Sequence, residues 1–486
     1  MKRNRPGITA NTLLLCAIGI CLVYAAFFPA VIYAPDGNSM VAVSESLATG
    51  HGFTVATPGL GTIGRHGLYY SMWYPLLSVL ALPPVTIGVL VSRHAGLPQH
   101  YVAAMFALTL SPILTAAIAL MVALLARRLG ATTRGAILAA LGFAFGTIAL
   151  VYCRQFFADP LLALLSVAGI YFALGGDSRL ATAAALLAVL AKPTGIVLGP
   201  CLGGYLLCKR RPVSNWIAPP CGTAAGLLIY FAYNWARFAN PLNFGQPGHF
   251  SLSVVPIALA GLLACPGTGM LWYCPAVVAV AGVPGAIFKR WEGALIVAVA
   301  CAYLAEHAIW GYWEEPWSWG PRLLLPAVPG LMALTGLLAR RRRWLLVALT
   351  IAGFIVNAPT LVSFYERYYQ EAQAAHVSSE ARTWNPRYAP ALRIWGAVWR
   401  ETADAYRNAA QVGVFAHQAG NVPLANTVES SRALRIVNLW WWMLPAVGIP
   451  RAAGAAVSLA LLIVGLWLIA RALARAPDDD VVLPAS

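Results

Sequence analysis

Three observations predict an all-α polytopic membrane protein. Of the 486 residues, 60% are hydrophobic and only 10% are charged, against about 25% charged in a soluble globular chain. The mean hydropathy is +0.70. Apolar runs long enough for a helix to cross a bilayer, about 20 residues, recur from end to end. They fall at 10–33, 74–92, 100–126, 135–152, 157–175, 180–208, 215–234, 270–288, 293–311, 322–339, 344–362 and 451–471. By length alone this predicts a bundle of roughly 11 to 13 transmembrane helices.

The first run, Thr12–Tyr33, is too long and too aromatic for a cleaved leader and is expected to be a retained span. Pro83-Pro84 interrupts 74–92, and Lys192-Pro193 breaks 180–208 into an expected pair of short helices. The formal charge of +16 lies largely in clusters beside apolar runs: Lys2 to Arg5, Arg127 to Arg134, Lys209 to Arg211, Lys289-Arg290, Arg340 to Arg343, and Arg471 with Arg475. Such clusters mark cytoplasmic loops and anionic headgroups rather than nucleic acid. They place 34–73, 235–252, 312–321 and 363–436 on the outer side. Arg93 and Arg127-Arg128 conflict if both 74–92 and 100–126 cross; a re-entrant 74–92 is one way out. The nine cysteines sit in or beside apolar runs without a CxxC spacing, so neither a zinc site nor a disulfide framework is indicated.

The organisation expected is a membrane module over 1–362, a small extracytoplasmic cap over 363–436, and an anchor with a last helix and tail over 437–486. Trp440-Trp441-Trp442 suits an aromatic belt. No repeat of the kind that marks transporters is visible.

The outer segments hold the candidate chemistry. Asp36, just past the first span, could take a proton from an acceptor hydroxyl or hold a divalent cation, or could simply start a helix. Glu45 and Asp159 are possible second acids, Asp159 also reading as a helix start before Pro160. Lys192 lies inside an apolar run, where a lysine is a functional candidate unless it snorkels out. Arg237 and Arg322 stand on outer loops against the positive-inside bias, which suggests an anionic ligand such as a lipid-linked phosphate. Glu306, His307, Glu314 and Glu315 extend the outer polar set. His51, His66, Tyr70, Tyr74 and Trp319 could line a substrate or stack on a sugar face, or form an interfacial belt. Together these residues suit transfer of a sugar away from a lipid phosphate, with cationic side chains stabilising the departing charge.

The order of the pieces resembles the membrane-embedded C-type glycosyltransferases (GT-C), particularly bacterial relatives of the protein O-mannosyltransferases and of the lipid A aminoarabinose transferase. The matching pieces begin with Asp36, Ala42 to Phe53, Tyr74-Pro75 read as opening the second span, and Phe157-Ala-Asp-Pro160. Ala191 to Gly195, Arg237 to Pro241, Cys265 to Leu271 and Trp319 to Pro326 follow. The resemblance implies a GT-C bundle, a polyprenyl-phosphate-linked sugar as donor, and inverting transfer to a lipid, glycan or protein hydroxyl. It places the reaction on the periplasmic face of a bacterial inner membrane. It makes Asp36 the catalytic base, gives Lys192 and Arg237 the donor phosphate, and often brings a divalent cation (Mg or Mn). This chain has Asp36-Gly37 where an Asp-Glu pair is common, and one carboxylate holds a hard cation weakly. Other readings of the same residues are a transporter or flippase for a lipid-linked or anionic sugar, and an O-antigen-type ligase or polymerase.

Overall fold

The computed structural model describes residues 6–56, 58–245, 249–314, 317–407 and 436–477. Lys2, Arg3, Arg5, Glu315 and the 408–435 portion of the expected cap lie outside the described residues. The described chain is a bundle of helices with one short two-stranded sheet, in which Thr62 pairs with Tyr70 and Ile63 with Tyr69. Among the described residues, three helices are long and apolar enough to cross a membrane by length and composition: Gln99–Arg128, Arg340–Leu361 and Arg451–Arg475. Shorter apolar helices such as Ala158–Leu174 and Ser178–Ala191 fill the bundle between them. The first helix, Pro6–Ala26, packs along the last, Arg451–Arg475.

The basic clusters converge on one end. Arg343 Nη2 donates to Thr132 Oγ1 at 2.8 Å, Arg290 Nη1 to the Leu129 carbonyl at 3.2 Å, and Lys209 pairs with Glu292 at 2.7 Å. The guanidinium of Arg128 stacks 3.7 Å from the Tyr171 ring centre. The outer segments converge on the opposite end. Tyr369 Oη donates to the Ser318 carbonyl at 2.6 Å, Gln370 Nε2 to Tyr33 Oη at 2.6 Å, and Gly267 N to the Thr383 carbonyl at 3.0 Å. The helices Tyr365–Ala374, Ser379–Trp384 and Pro390–Arg407 thereby lie over the end that carries Asp36.

One expected crossing is not a crossing. The run that Tyr74-Pro75 opens is broken into Pro75–Leu80 and Leu82–Ala95, and the latter folds back against Gln99–Leu108. Tyr101 Oη donates to the Ala30 carbonyl at 3.0 Å, and His100 contacts Glu45, so the start of Gln99–Arg128 sits beside the exit of the first helix. Arg93 therefore shares the Asp36 end, Arg127 and Arg128 reach the basic end, and the conflict between them disappears. The second crossing opens at Gln99 rather than at Pro75. Hydropathy alone does not separate a span from an apolar hairpin lying at the surface; Pro83-Pro84 was the local sign.

The break at Lys192 is the expected one. A residue before proline is pushed out of the helical region, and Lys192 has φ −163° and ψ 133°. Pro193–Val197 and Leu198–Cys208 then turn back toward the basic end, where Lys209 meets Glu292. The reversal is tight: a Cβ on Gly195 would come within 2.5 Å of the Ala188 backbone. Lys192 thus stands at the tip of a helical hairpin.

Candidate functional site

Asp36 lies in the first turn of Pro35–Ala48, and Asp159 in the first turn of Ala158–Leu174. Neither acts as the cap. Ala34 and Phe157 hold the N-cap positions, and neither helix has a side-chain capping bond. Each carboxylate instead sits where the helix macrodipole favours negative charge and points at a cation. Asp36 Oδ2 accepts from Arg322 Nη1 at 3.1 Å. Arg322 Nε lies 3.8 Å from Asp159 Oδ2, and Asp159 Oδ1 accepts from Lys192 Nζ at 2.6 Å.

These four side chains form one continuous array, Asp36–Arg322–Asp159–Lys192, built from four separate segments. Side-chain exposure grades along it, from 18% at Asp36 and 15% at Arg322 to 5% at Asp159 and 9% at Lys192. A ligand would therefore meet Asp36 and Arg322 first. Burial raises the Asp36 carboxyl above its usual range, with Arg322 opposing that shift. Arg322 is aimed by the turn before it: Gly320 takes φ +62°, and a Cβ there would strike the Tyr273 ring at 2.7 Å. The guanidinium lies 4.5 Å from the Phe157 ring centre.

Glu306 and His307 border the buried end of the array, within electrostatic reach of Lys192. His307 Nδ1 lies 2.7 Å from the Tyr303 carbonyl, so that nitrogen carries the proton and Nε2 is left as an acceptor. Nε2 is buried with no hydrogen-bond partner, as is Glu306 Oε2. The sequence marked both residues only as part of the outer polar set. What singles them out is this orphaned state, which no sequence pattern displays.

Arg237 stands outside the array. It is 1% exposed, and Nη2 donates to Asn234 Oδ1 at 2.6 Å, while Nη1 reaches the carbonyls of Ser71 and Trp73. Its guanidinium stacks 3.8 Å from the Tyr233 ring centre. An aromatic cluster of Tyr74, Ala158 and Tyr230, with Trp73 and Tyr233 against it, joins the two places. Ala158 adjoins Asp159, and Tyr233 carries Arg237.

The remaining candidates are spread out. Glu45 pairs with His100 at 2.5 Å, away from the array. His51 is exposed, with Nδ1 2.9 Å from Thr49 Oγ1. His66 is exposed with φ 59°. Tyr70 is buried in the short sheet with its ring 6.1 Å from that of Phe238. Tyr74 is buried in the aromatic cluster. Trp319 is fully buried: Nε1 donates to Asn357 Oδ1 at 2.7 Å, and its carbonyl accepts from Tyr152 Oη at 2.9 Å. That indole is built into the core beneath Arg322.

The donor set at the array does not fit the divalent cation that the resemblance implies. A hard cation needs several oxygen ligands. Here the guanidinium of Arg322 stands between the two carboxylates, and Lys192 takes the other Asp159 oxygen. Among the described residues no group of three or more His, Cys, Asp or Glu could hold a metal ion.

No family model matches the chain, and no curated protein matches it. Among solved structures, ArnT from Cupriavidus metallidurans in the apo state aligns with a TM-score of 0.50 at 16% identity, over 94% of this chain and 77% of that one. ArnT bound to undecaprenyl phosphate aligns at 0.48 and 16%, with the same 94% and 77% coverage. The apo Archaeoglobus fulgidus oligosaccharyltransferase aligns at 0.49 and 12%, over 73% of this chain and 56% of that one. The first likeness shows the fold: this chain is an all-α, multi-pass membrane protein with the architecture of ArnT, as the GT-C resemblance led one to expect.

Proposed function

We propose that the chain is a membrane glycosyltransferase that moves a sugar from a polyprenyl-phosphate donor to a hydroxyl acceptor at the Asp36 end of the bundle. The observation that carries this reading is the Asp36–Arg322–Asp159–Lys192 array, in which a base is paired directly with one cation and joined to a second through Asp159.

The donor's phosphate docks against Arg322, the more accessible of the two cations, with Lys192 behind it. The acceptor hydroxyl gives its proton to the Asp36 carboxylate as its oxygen attacks the anomeric carbon. The bond from that carbon to the phosphate oxygen breaks, the electron pair leaves with the phosphate, and Arg322 and Lys192 stabilise the added charge. One displacement inverts the anomeric centre. The raised Asp36 carboxyl suits this work, since a more basic carboxylate takes a proton more readily. Asp159 holds both cations in place. No step is routed through a metal. Arg237, closed off by its own partners, would act on the donor through the aromatic cluster that it supports.

A cytoplasmic far end is supported by its basic clusters under the positive-inside rule. Asp36 then faces the periplasm across a bacterial inner membrane. The experiment is to incubate purified protein with a panel of polyprenyl-phosphate-linked sugars and follow release of the polyprenyl phosphate. Turnover of at least one donor is expected; binding of every donor with no sugar ever released would favour transport and defeat the reading.

A further inference from the structure

The helix Pro390–Arg407 sorts its side chains into three rows. Ala391, Ile394, Val398 and Ala405 are buried against the rest of the protein and form the first. One residue on, about 100° around the axis, lies a second apolar row: Leu392, Trp395 and Trp399, exposed by 55%, 41% and 73%. A further 100° on, Arg393, Arg400 and Arg407 make a basic row. The first row packs the helix onto the molecule. The second repeats at i, i+3 and i+7, the spacing of a face that meets an apolar medium, yet no protein covers it. A soluble surface rarely leaves such a row bare.

The two ends of the exposed row are fastened to helices that are long and apolar enough to cross a membrane. Trp395 Nε1 donates to the Ile355 carbonyl at 3.1 Å. Ile355 continues the exposed row Trp344, Val347 and Ile351 of Arg343–Asn357. At the other end the Tyr406 ring lies 4.9 Å from that of Trp442, and Trp440 Nε1 donates to Ser458 Oγ of Arg451–Arg475 at 3.1 Å. The heights agree. Ile355 is twelve residues, about 18 Å, from Arg343, and Ser458 is thirteen residues, about 20 Å, from Arg471. A hydrocarbon core is about 30 Å thick. With the basic end at the opposite headgroups, both fastening points therefore fall in the outer part of the apolar slab, and the exposed row of Pro390–Arg407 continues the surface that lipid already covers.

The residue types suit that position. Tryptophan and tyrosine favour the boundary between acyl chains and headgroups. A helix with tryptophan and leucine on one face and arginines on another lies in the plane of that boundary. Arg407 pairs with Asp404 at 3.7 Å. Arg393 and Arg400 are exposed beside the aromatic row, where long cationic side chains reach up to lipid phosphates.

We propose that Pro390–Arg407 is an interfacial helix seated in the leaflet on the Asp36 side: Leu392, Trp395 and Trp399 enter the acyl chains, and Arg393 and Arg400 meet anionic headgroups. The proposal stands whether or not the array is the transfer centre. The test places the photo-crosslinker benzoylphenylalanine at Leu392 or Trp399, and for comparison at exposed Glu380, in the full chain in nanodiscs of phosphatidylethanolamine and phosphatidylglycerol. Melting temperatures establish that each labelled protein is folded, and mass spectrometry identifies the adducts after irradiation. Lipid adducts are expected at 392 and 399 and not at 380. Adding Arg400→Gln to the protein labelled at 399 should lower the excess of phosphatidylglycerol among its adducts about fivefold, the size of one basic side chain's attraction to an anionic surface. Three outcomes would overturn the proposal: adducts of 392 and 399 only with another segment of the chain or a second copy, lipid adducts no more frequent than at 380, or a phosphatidylglycerol preference that Arg400→Gln leaves unchanged.

Discussion

At the basic end of the bundle, arginines and lysines are numerous, mostly exposed, and bonded largely to backbone carbonyls and hydroxyls. At the Asp36 end, four charged side chains are linked one to the next by contacts of 2.6 to 3.8 Å, largely out of solvent. The first arrangement has what orientation in a membrane calls for, charge without fixed geometry. The second holds opposite charges where water cannot screen them, which is costly unless every partner is in place. The difference teaches that the number of charges in a region says little about chemistry, whereas burial and mutual pairing say a great deal.

The contrast should appear as a graded series of stability losses. The largest belongs to the buried end of the array. Lys192→Met strips Asp159 of its 2.6 Å partner and should cost about 3–5 kcal/mol. Pairing it with Asp159→Leu should restore much of that loss in thermal unfolding in detergent. A single variant as stable as the wild type would make the array no different from a surface pair.

Next comes Glu366, in the helix Tyr365–Ala374 over the Asp36 end. It is 3% exposed, and burial pushes its carboxyl up to about 7. A raised value in the folded state means that its contribution is full below the unfolded value, about 4.3, and is lost as pH rises through about 7. Melting temperature should therefore fall between pH 5 and pH 8 by an amount equivalent to at most about 3 kcal/mol. The Glu366→Gln variant should show a flatter profile; an unchanged slope would remove Glu366 as its source.

Trp319→Phe should cost about 2 kcal/mol, because Asn357 Oδ1 loses its buried 2.7 Å donor. The smallest effect is expected at the basic end. Exposed Arg341→Ala should change stability by no more than about 0.5 kcal/mol. A large loss there would erase the contrast between the two ends.

Much of this was legible in the sequence where the signal was local. Lys192-Pro193 announced a break because proline constrains the residue before it. The basic clusters announced one face because they recur beside apolar runs. Asp36 and Arg322 were each suspicious alone, but they are 286 positions apart, and nothing in either neighbourhood says that they touch. Arg237 was grouped with Lys192 on charge and sidedness, and only the fold reveals that Asn234, Ser71 and Trp73 hold it outside the array, with an aromatic cluster between the two places. The run at 74–92 was apolar enough to cross, yet its proline pair and its packing against Gln99–Leu108 lay it at the Asp36 end. Trp319 illustrates the converse: an aromatic on an outer loop can belong to the core, because exposure is set by the chain that folds over it.

The most direct measurement compares Asp36→Asn with the wild type, following sugar transfer and undecaprenyl phosphate binding on the same preparation. Loss of the base should slow transfer by about 10²–10⁴-fold while binding of the lipid phosphate stays close to that of the wild type. Transfer that continues at the wild-type rate in the folded variant would contradict the assignment of Asp36 and, with it, the array as the transfer centre.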